Sequence, residues 1–190
     1  MFDFKEYKKY KLSELLTETN IKKTNENYDI ISSTTKGIYL QSEYFNKQAA
    51  SEDTKGYKII KKSQLVLSPQ NLWMGNININ FKYDIGIVSP SYKVFDINEN
   101  MVDLLLFNEW IKSPRALYQY IISSEQGASI VRRNLNMELF YEISIVLPSI
   151  SIQKSISKKI HSFNNLIQFE EDRLIILKNL KKGLMQQMFV

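Results

Sequence analysis

The sequence predicts an α+β protein: a mixed, mostly β-stranded globular head carrying a long C-terminal helix of coiled-coil type. Three patterns predict it. Short runs rich in β-branched and aromatic residues, bounded by turn formers, recur through the first half of the chain. Helical patterning appears after Met101, with Pro114 placed for the first turn of a helix. From Ile156 onward, apolar residues recur every seven positions.

Residues 10–16 (YKLSELL) predict a short opening segment of one or two helical turns, and the polar stretch 20–27 predicts a loop or strand edge. Residues 28–31 (YDII) read as a strand, 32–37 (SSTTKG) as a polar loop of turn formers, and 38–44 as a second strand. Residues 57–60 and 65–68 are β-rich runs separated by a turn at 61–63, and Pro69, which has no N–H for a ladder, ends the second. After the loop 70–75 (QNLWMG), residues 76–81 (NININF) alternate with period two, which predicts a half-buried strand. Residues 85–90 and 92–95 predict two more strands.

Residues 101–110 (MVDLLLFNEW) predict a buried helix and 115–123 another. Residues 124–129 read as loop. A helical piece near 137–141 and a final strand at 143–147, stopped by Pro148, complete the head. The head is thus assigned to residues 1–147 and the spacer or dimerisation helix to 148–190.

In the C-terminal segment, Ile156, Phe163, Leu177 and Leu184 form one seven-residue series, and Ile160, Ile167, Leu174 and Met188 form the interleaved one. Glu170 and Lys181 interrupt the stripe. Unless it folds back onto its own head, one chain cannot bury this stripe, so a partner helix is expected.

Composition bounds the function. With 44% hydrophobic and 12% aromatic residues, the chain can build a packed core. A net charge of +5 and a pI near 9.2 suit a polyanionic partner. The absence of cysteine excludes disulfides, thiolate nucleophiles and thiolate metal sites. Neither a signal-peptide pattern at Met1 nor a membrane-spanning apolar run is present, so a cytoplasmic location without membrane contact is expected.

Signs of catalysis are few. The single histidine, His161, lies within the helical stripe region and reads as a surface residue. The six glycines never stand as G-x-G, so dinucleotide and P-loop fingerprints are absent. A metal-dependent nuclease would need carboxylates near a lysine. Asp29 with Asp53-Thr54-Lys55, or Asp3 with Glu6-Tyr7-Lys8, could supply them, but neither follows a clear strand pair. The expectation is a non-enzyme with no catalytic residues and no metal site.

Nucleic-acid affinity comes mainly from cations on phosphates, and specificity from groups that reach base edges. Three loops offer such groups. Residues 32–37 carry hydroxyls and an amine, residues 70–75 carry amides able to read adenine, and Arg132-Arg133-Asn134 carries guanidinium forks.

The chain also resembles the DNA-specificity subunits of type I restriction-modification systems. The sharpest likeness lies in the run from Ile145-Val146-Leu147-Pro148-Ser149 through Gln153, Ile156, Phe163, Asn164 and Ile167, and in residues 177–189 (LKNLKKGLMQQMF), which resemble the end of that family's spacer helix. Looser matches in the head include residues 57–60, Leu67-Ser68-Pro69, Trp73-Met74-Gly75, residues 88–95 and Gly127 with Arg132-Arg133. Ile152 stands where the family usually has glutamate, and Asn164 where it usually has aspartate.

The resemblance implies a half-subunit: one target-recognition domain with one helix, where relatives typically carry two of each. It implies a reader of double-stranded DNA without chemistry or cofactor of its own. Methyltransferase subunits using S-adenosylmethionine, and restriction subunits using ATP and Mg²⁺, would be its partners. Ser33, Thr34, Lys36, Asn71, Trp73, Arg132 and Arg133 are the expected DNA contacts. Antiparallel pairing of the helix with a second copy, or with another specificity chain, would create a two-fold assembly reading a bipartite site. The alternatives are a coiled-coil interaction module without DNA binding, and the nuclease.

Overall fold

A four-stranded antiparallel sheet, ordered β2-β9-β6-β7, forms the centre of the head in the computed structural model; its strands are Leu16–Thr19, Lys93–Ile97, Leu65–Leu67 and Ile77–Ile79. The structure describes residues 7–24, 27–44, 54, 56–129 and 132–188. Both faces of the sheet are covered. In β6, Leu65 and Leu67 join the larger core, whereas Val66 points the other way, as strand alternation requires.

The larger core lies between the sheet and four helices, α1 (Leu12–Leu15), α3 (Leu104–Ile111), α4 (Pro114–Ile122) and α5 (Met137–Glu142). The helix starts are encoded locally. Asp103, Ser113 and Asn136 each accept hydrogen bonds from first-turn N–H groups, and Pro114 sits where a missing N–H costs nothing. Phe95, Phe107, Tyr120 and Phe140 are fully buried in this core. Such side chains contribute about 1.5–3 kcal/mol each relative to exposure.

The smaller core, Ile31, Ile60, Val66, Val88 and Val94, lies on the opposite face. Two antiparallel strand pairs cover it: the hairpin β3 (Ile31–Thr34) with β4 (Gly37–Leu40), and β5 (Lys58–Lys61) with β8 (Ile85–Val88). The expected strand runs at 57–60 and 65–68 therefore exist but do not pair with each other; each finds a partner distant in sequence.

Local patterning misassigned several stretches, among them the opening segment, where only Leu12–Leu15 is helical and strands flank it. Residues 32–34, expected as loop, continue β3, because the turn is confined to residues 35–36. Residues 41–44 leave the expected strand and form a short helix, α2 (Gln41–Tyr44). Residues 124–129, expected as loop, form β10 (Ser124–Ser129), paired with β11 (Arg132–Leu135) across an irregular register. Residues 76–80 are buried on both faces rather than half-buried. Their asparagines satisfy themselves by hydrogen bonding, so burying them is not the penalty their polarity implies.

The chain closes with β12 (Ser144–Leu147), paired with β1 (Lys8–Lys11), and then α6 (Ile150–Met188). Gln153, only 1% exposed, bolts α6 to the head: its side-chain amide N–H groups donate to Met101 O at 3.0 Å and Pro148 O at 2.9 Å, while its oxygen accepts from Asp103 N at 2.9 Å. Ser157 donates to the Asp103 carboxylate one turn later. Beyond Ile160 the helix does not fold back onto the head, and every described residue from His161 to Lys182 is exposed. At 39 residues, α6 is about 58 Å long.

Candidate nucleic-acid interface and helical arm

Three chain segments remote in sequence meet on one part of the head. The first is the β3–β4 hairpin. Ser33 anchors it inside: its hydroxyl donates to Asn76 Oδ1 at 2.7 Å and accepts from Asn78 Nδ2 at 2.7 Å. Asn76 Nδ2 and the Tyr92 hydroxyl both donate to Ser33 O, at 3.0 and 3.2 Å. At 3% exposure, Ser33 positions the hairpin and does not present the contact expected of it. Thr34 is also engaged locally. Its hydroxyl donates to Gly37 O and accepts from Lys36 N, both at 3.1 Å, closing the turn that leaves Lys36 exposed at the tip. Gly37 has φ +136°, a conformation that L side chains rarely adopt.

The second segment is the loop leading into β7. Leu72–Met74 form one 3-10 turn closed by Gly75 in the left-handed conformation. Asn71 is half-buried; its side chain does not cap the turn. Gln70 and Met74 are exposed. Trp73 is half-buried, and its indole Nε1 is buried without a hydrogen-bond partner.

The third is the β10–β11 hairpin. Arg133 N donates to Gln70 O at 3.4 Å, tying β11 to the loop, and the guanidinium carbon lies 4.9 Å from the centre of the Trp73 ring. Trp73 thus serves as a platform for the cation. Arg132 lies on β11, but its side chain is outside the described residues.

Lys112 braces β7 beneath the first of these segments and had no signal in the sequence beyond its place between two helices. Its ammonium donates to Ile77 O and, at 2.6 Å, to Asn78 Oδ1. Asn78 Nδ2 then donates to Ser33 Oγ and Thr34 O. A chain of polar contacts therefore runs from Lys112 to the base of the Lys36 hairpin. Burial pulls the Lys112 pKa down to about 8. A run of asparagines alternating with isoleucines is the one feature that could have exposed this network, since a strand that carries amides at every second position must satisfy them.

The carboxylates considered for metal chemistry give nothing to build on. Asp3, Glu6 and Asp53 fall outside the described residues, and among the described residues no group of three or more His, Cys, Asp or Glu could hold a metal ion. His161 Nε2 lies 3.2 Å from Asn165 Nδ2 on the exposed helix surface. No helix among the described residues is long and apolar enough to cross a membrane.

The arm is the second candidate surface. Ile156 and Ile160 are half-buried near the head, whereas Phe163, Ile167, Leu174, Leu177, Leu184 and Met188 are each at least half exposed. The apolar surface is wider than the sequence stripe, because Leu166, Phe169, Ile176 and Leu180 lie exposed along one flank of it. Strict seven-residue counting passes over them.

No family model matches this sequence. It is 30% identical over 156 residues to the Type I restriction enzyme MjaVIII specificity subunit of Methanocaldococcus jannaschii, a match covering 80% of this chain and 34% of the relative. The chain therefore spans about a third of the length of that relative. Its fold is similar to the HsdS subunit from Thermoanaerobacter tengcongensis, with TM-score 0.60 and 16% identity over 87% of this chain and 44% of that one. It is also similar to the type I restriction-modification S subunit from M. genitalium, with TM-score 0.54 and 11% identity over 87% and 41% of the two chains.

Proposed function

We propose that this chain is a DNA-specificity reader of the type I restriction-modification kind, and that it reads double-stranded DNA through the part of the head carrying Lys36, Asn71, Trp73 and Arg133. The observation that carries this reading is the meeting of three separate segments on one part of the head, with Arg133 held over Trp73 and Lys36 exposed on a braced hairpin. Arg133 and Arg132 supply guanidinium forks for phosphate or guanine, and Lys36 a point charge for phosphate. Asn71 supplies an amide of the kind that reads adenine. Thr34 and Ser33 hold the hairpin.

The arm makes the reader bipartite. Pairing α6 with another spacer helix places a head at each end, and a helix of about 58 Å spans between one and two turns of duplex. The apolar flank of Leu166, Phe169, Ile176 and Leu180 remains for a further helix. It suits docking of modification subunits, which would bring S-adenosylmethionine, and of restriction subunits, which would bring ATP and Mg²⁺. In this reading the chain itself does no chemistry and works in the cytoplasm, where those subunits and the DNA meet.

Selection of the purified chain on a randomised duplex pool, followed by titration at several salt concentrations, tests the proposal. Enrichment of a defined half-site, with affinity falling steeply as salt rises, is the expected result. No duplex binding at low salt would leave a coiled-coil interaction module instead. Cleavage of the duplex in Mg²⁺ by this chain alone would replace the reader with a nuclease.

A further inference from the structure

The tip of the β3–β4 hairpin rests on amides. β3 and β4 form a sheet of their own, and a two-stranded ribbon is at best marginally stable by itself. Its root is held by apolar packing, with Ile31 in the smaller core and Ile38 and Leu40 against it. Its tip half, Ser33 and Thr34, is held instead by the buried asparagines of β7, together with the Tyr92 hydroxyl. Asn78 reaches both tip residues: its Nδ2 donates to Ser33 Oγ at 2.7 Å and to Thr34 O at 2.8 Å.

An asparagine amide can sit either way round, and here only one way works. Thr34 O can only accept, so the amide nitrogen must face the hairpin and the amide oxygen must face away. On that far side Asn78 Oδ1 meets the Lys112 ammonium at 2.6 Å, and an ammonium can only donate. Lys112 thereby fixes the amide with its donors toward the hairpin. The reversed amide would set nitrogen against ammonium and oxygen against carbonyl. The order carries on through Ser33, whose hydroxyl accepts from Asn78 and donates to Asn76 Oδ1 at 2.7 Å.

Lys112 closes the C-terminus of α3. The residue is exposed overall, yet its ammonium is desolvated against β7 and forms no ion pair among the described residues. A lysine at a helix corner could as readily extend its charge into water. Held on Ile77 O and Asn78 Oδ1, it ties the bed of the hairpin to the α3–α4 corner, which Phe107, Ile111 and Tyr120 fix in the larger core. Lys36 stands exposed at the tip of the ribbon held in this way.

We infer that Lys112 is a positioning residue for duplex binding: through the Asn78 amide it holds the tip of the β3–β4 hairpin, and with it Lys36, in the place from which Lys36 meets a phosphate. Lys112 itself does not touch the duplex. This inference rests on reading Lys36 as a duplex contact.

Three measurements on the full chain test it, with circular dichroism to confirm folding. The first needs no DNA. In Lys112→Met, amide hydrogen exchange at residues 33–38 is expected to speed up at least about tenfold relative to β5 and β8, which share the smaller core but not the relay. The second is fluorescence anisotropy with a labelled duplex of random sequence at low salt. Lys112→Met is expected to weaken binding about threefold to tenfold in the wild-type background and to change it little in Lys36→Ala. Its effect is expected to add to that of Arg133→Ala, since Arg133 lies over Trp73 and outside the relay. The third is Asn78→Asp, which offers Lys112 a carboxylate but sets an acceptor against Thr34 O. It is expected to bind the duplex less well than the wild type, whereas a lysine needed only for stability predicts no loss. If Lys112→Met does not fold, Asn78→Asp carries the exchange measurement as well.

Hairpin exchange that matches the wild type in both variants would overturn the inference. So would a Lys112→Met loss that persists in full in Lys36→Ala and flattens the salt slope by about 1 more, because Lys112 would then be a phosphate contact itself. If Lys36→Ala weakens binding and Lys112→Met does not, this inference fails alone. If neither Lys36→Ala nor Arg133→Ala weakens binding, the functional reading fails and takes the duplex role of Lys112 with it, even where exchange shows a loosened hairpin.

Discussion

The guanidinium of Arg133 lies over the ring of Trp73, 4.9 Å from its centre. The two residues come from a 3-10 turn and a β-hairpin separated by two helices in the chain. A cation held against an aromatic face keeps its outward N–H groups for a ligand and loses less side-chain entropy on binding one. Arg133→Ala is therefore expected to weaken duplex binding and to flatten the log-affinity against log-salt slope by about 1. Trp73→Leu is expected to weaken binding less, because it keeps the charge and removes only its support. Fluorescence anisotropy across a salt series checks both.

Lys112 carries a pH signature. Burial lowers its pKa from 10.5 to about 8. Below pH 8 the ammonium is charged in folded and unfolded chains alike, and the desolvation penalty is fully present. Between about pH 8 and 10.5 the unfolded chain binds more protons than the folded one, so this group makes stability rise with pH. Urea unfolding across that window is expected to show the rise in the wild type, and a smaller one in Lys112→Met.

Gln153 is the joint between head and arm. Gln153→Ala would leave Met101 O, Pro148 O and Asp103 N without their partner in a buried setting. A loss of about 2–4 kcal/mol is expected in urea unfolding. Half-site affinity measured under fully folded conditions is expected to stay near wild type, because the joint lies away from the three converging loops.

Gly86 is where β8 passes under the smaller core. A Cβ there would lie 2.4 Å from Ile31 Cδ1 and 3.0 Å from Asp29 O. Gly86→Ala is expected to destabilise by about 1–3 kcal/mol through overpacking. Adding Ile31→Val, which trims the clashing methyl, is expected to recover part of that loss. Thermal unfolding of the two variants checks it.

Local chemistry made much of this protein legible. The N-caps and Pro114 are local devices, and the arm's seven-residue repeat is a property of a single helix, so neither waits on tertiary structure. The strand runs of residues 57–95 were visible for the same reason: alternation is local. Pairing is not. β5 finds β8 and β6 lies between β7 and β9, choices made by which faces can be buried together.

The candidate nucleic-acid face shows the same division. Residue type alone marked Lys36, Asn71, Trp73 and Arg133 as groups able to meet DNA. Only the tertiary structure turned Ser33 inward, because the buried asparagines 76 and 78 needed a partner there and a hydroxyl can both donate and accept. It likewise brought in Lys112, which no sequence pattern marks, because a helix corner packs against the end of β7. The sequence by itself determined a β-rich head and an arm with a seven-residue apolar stripe; that the arm does not fold back onto the head was decided by the tertiary structure. The tertiary structure decided which polar groups hold the candidate face together and which stay exposed, since burial and hydrogen-bond satisfaction are settled only between segments distant along the chain.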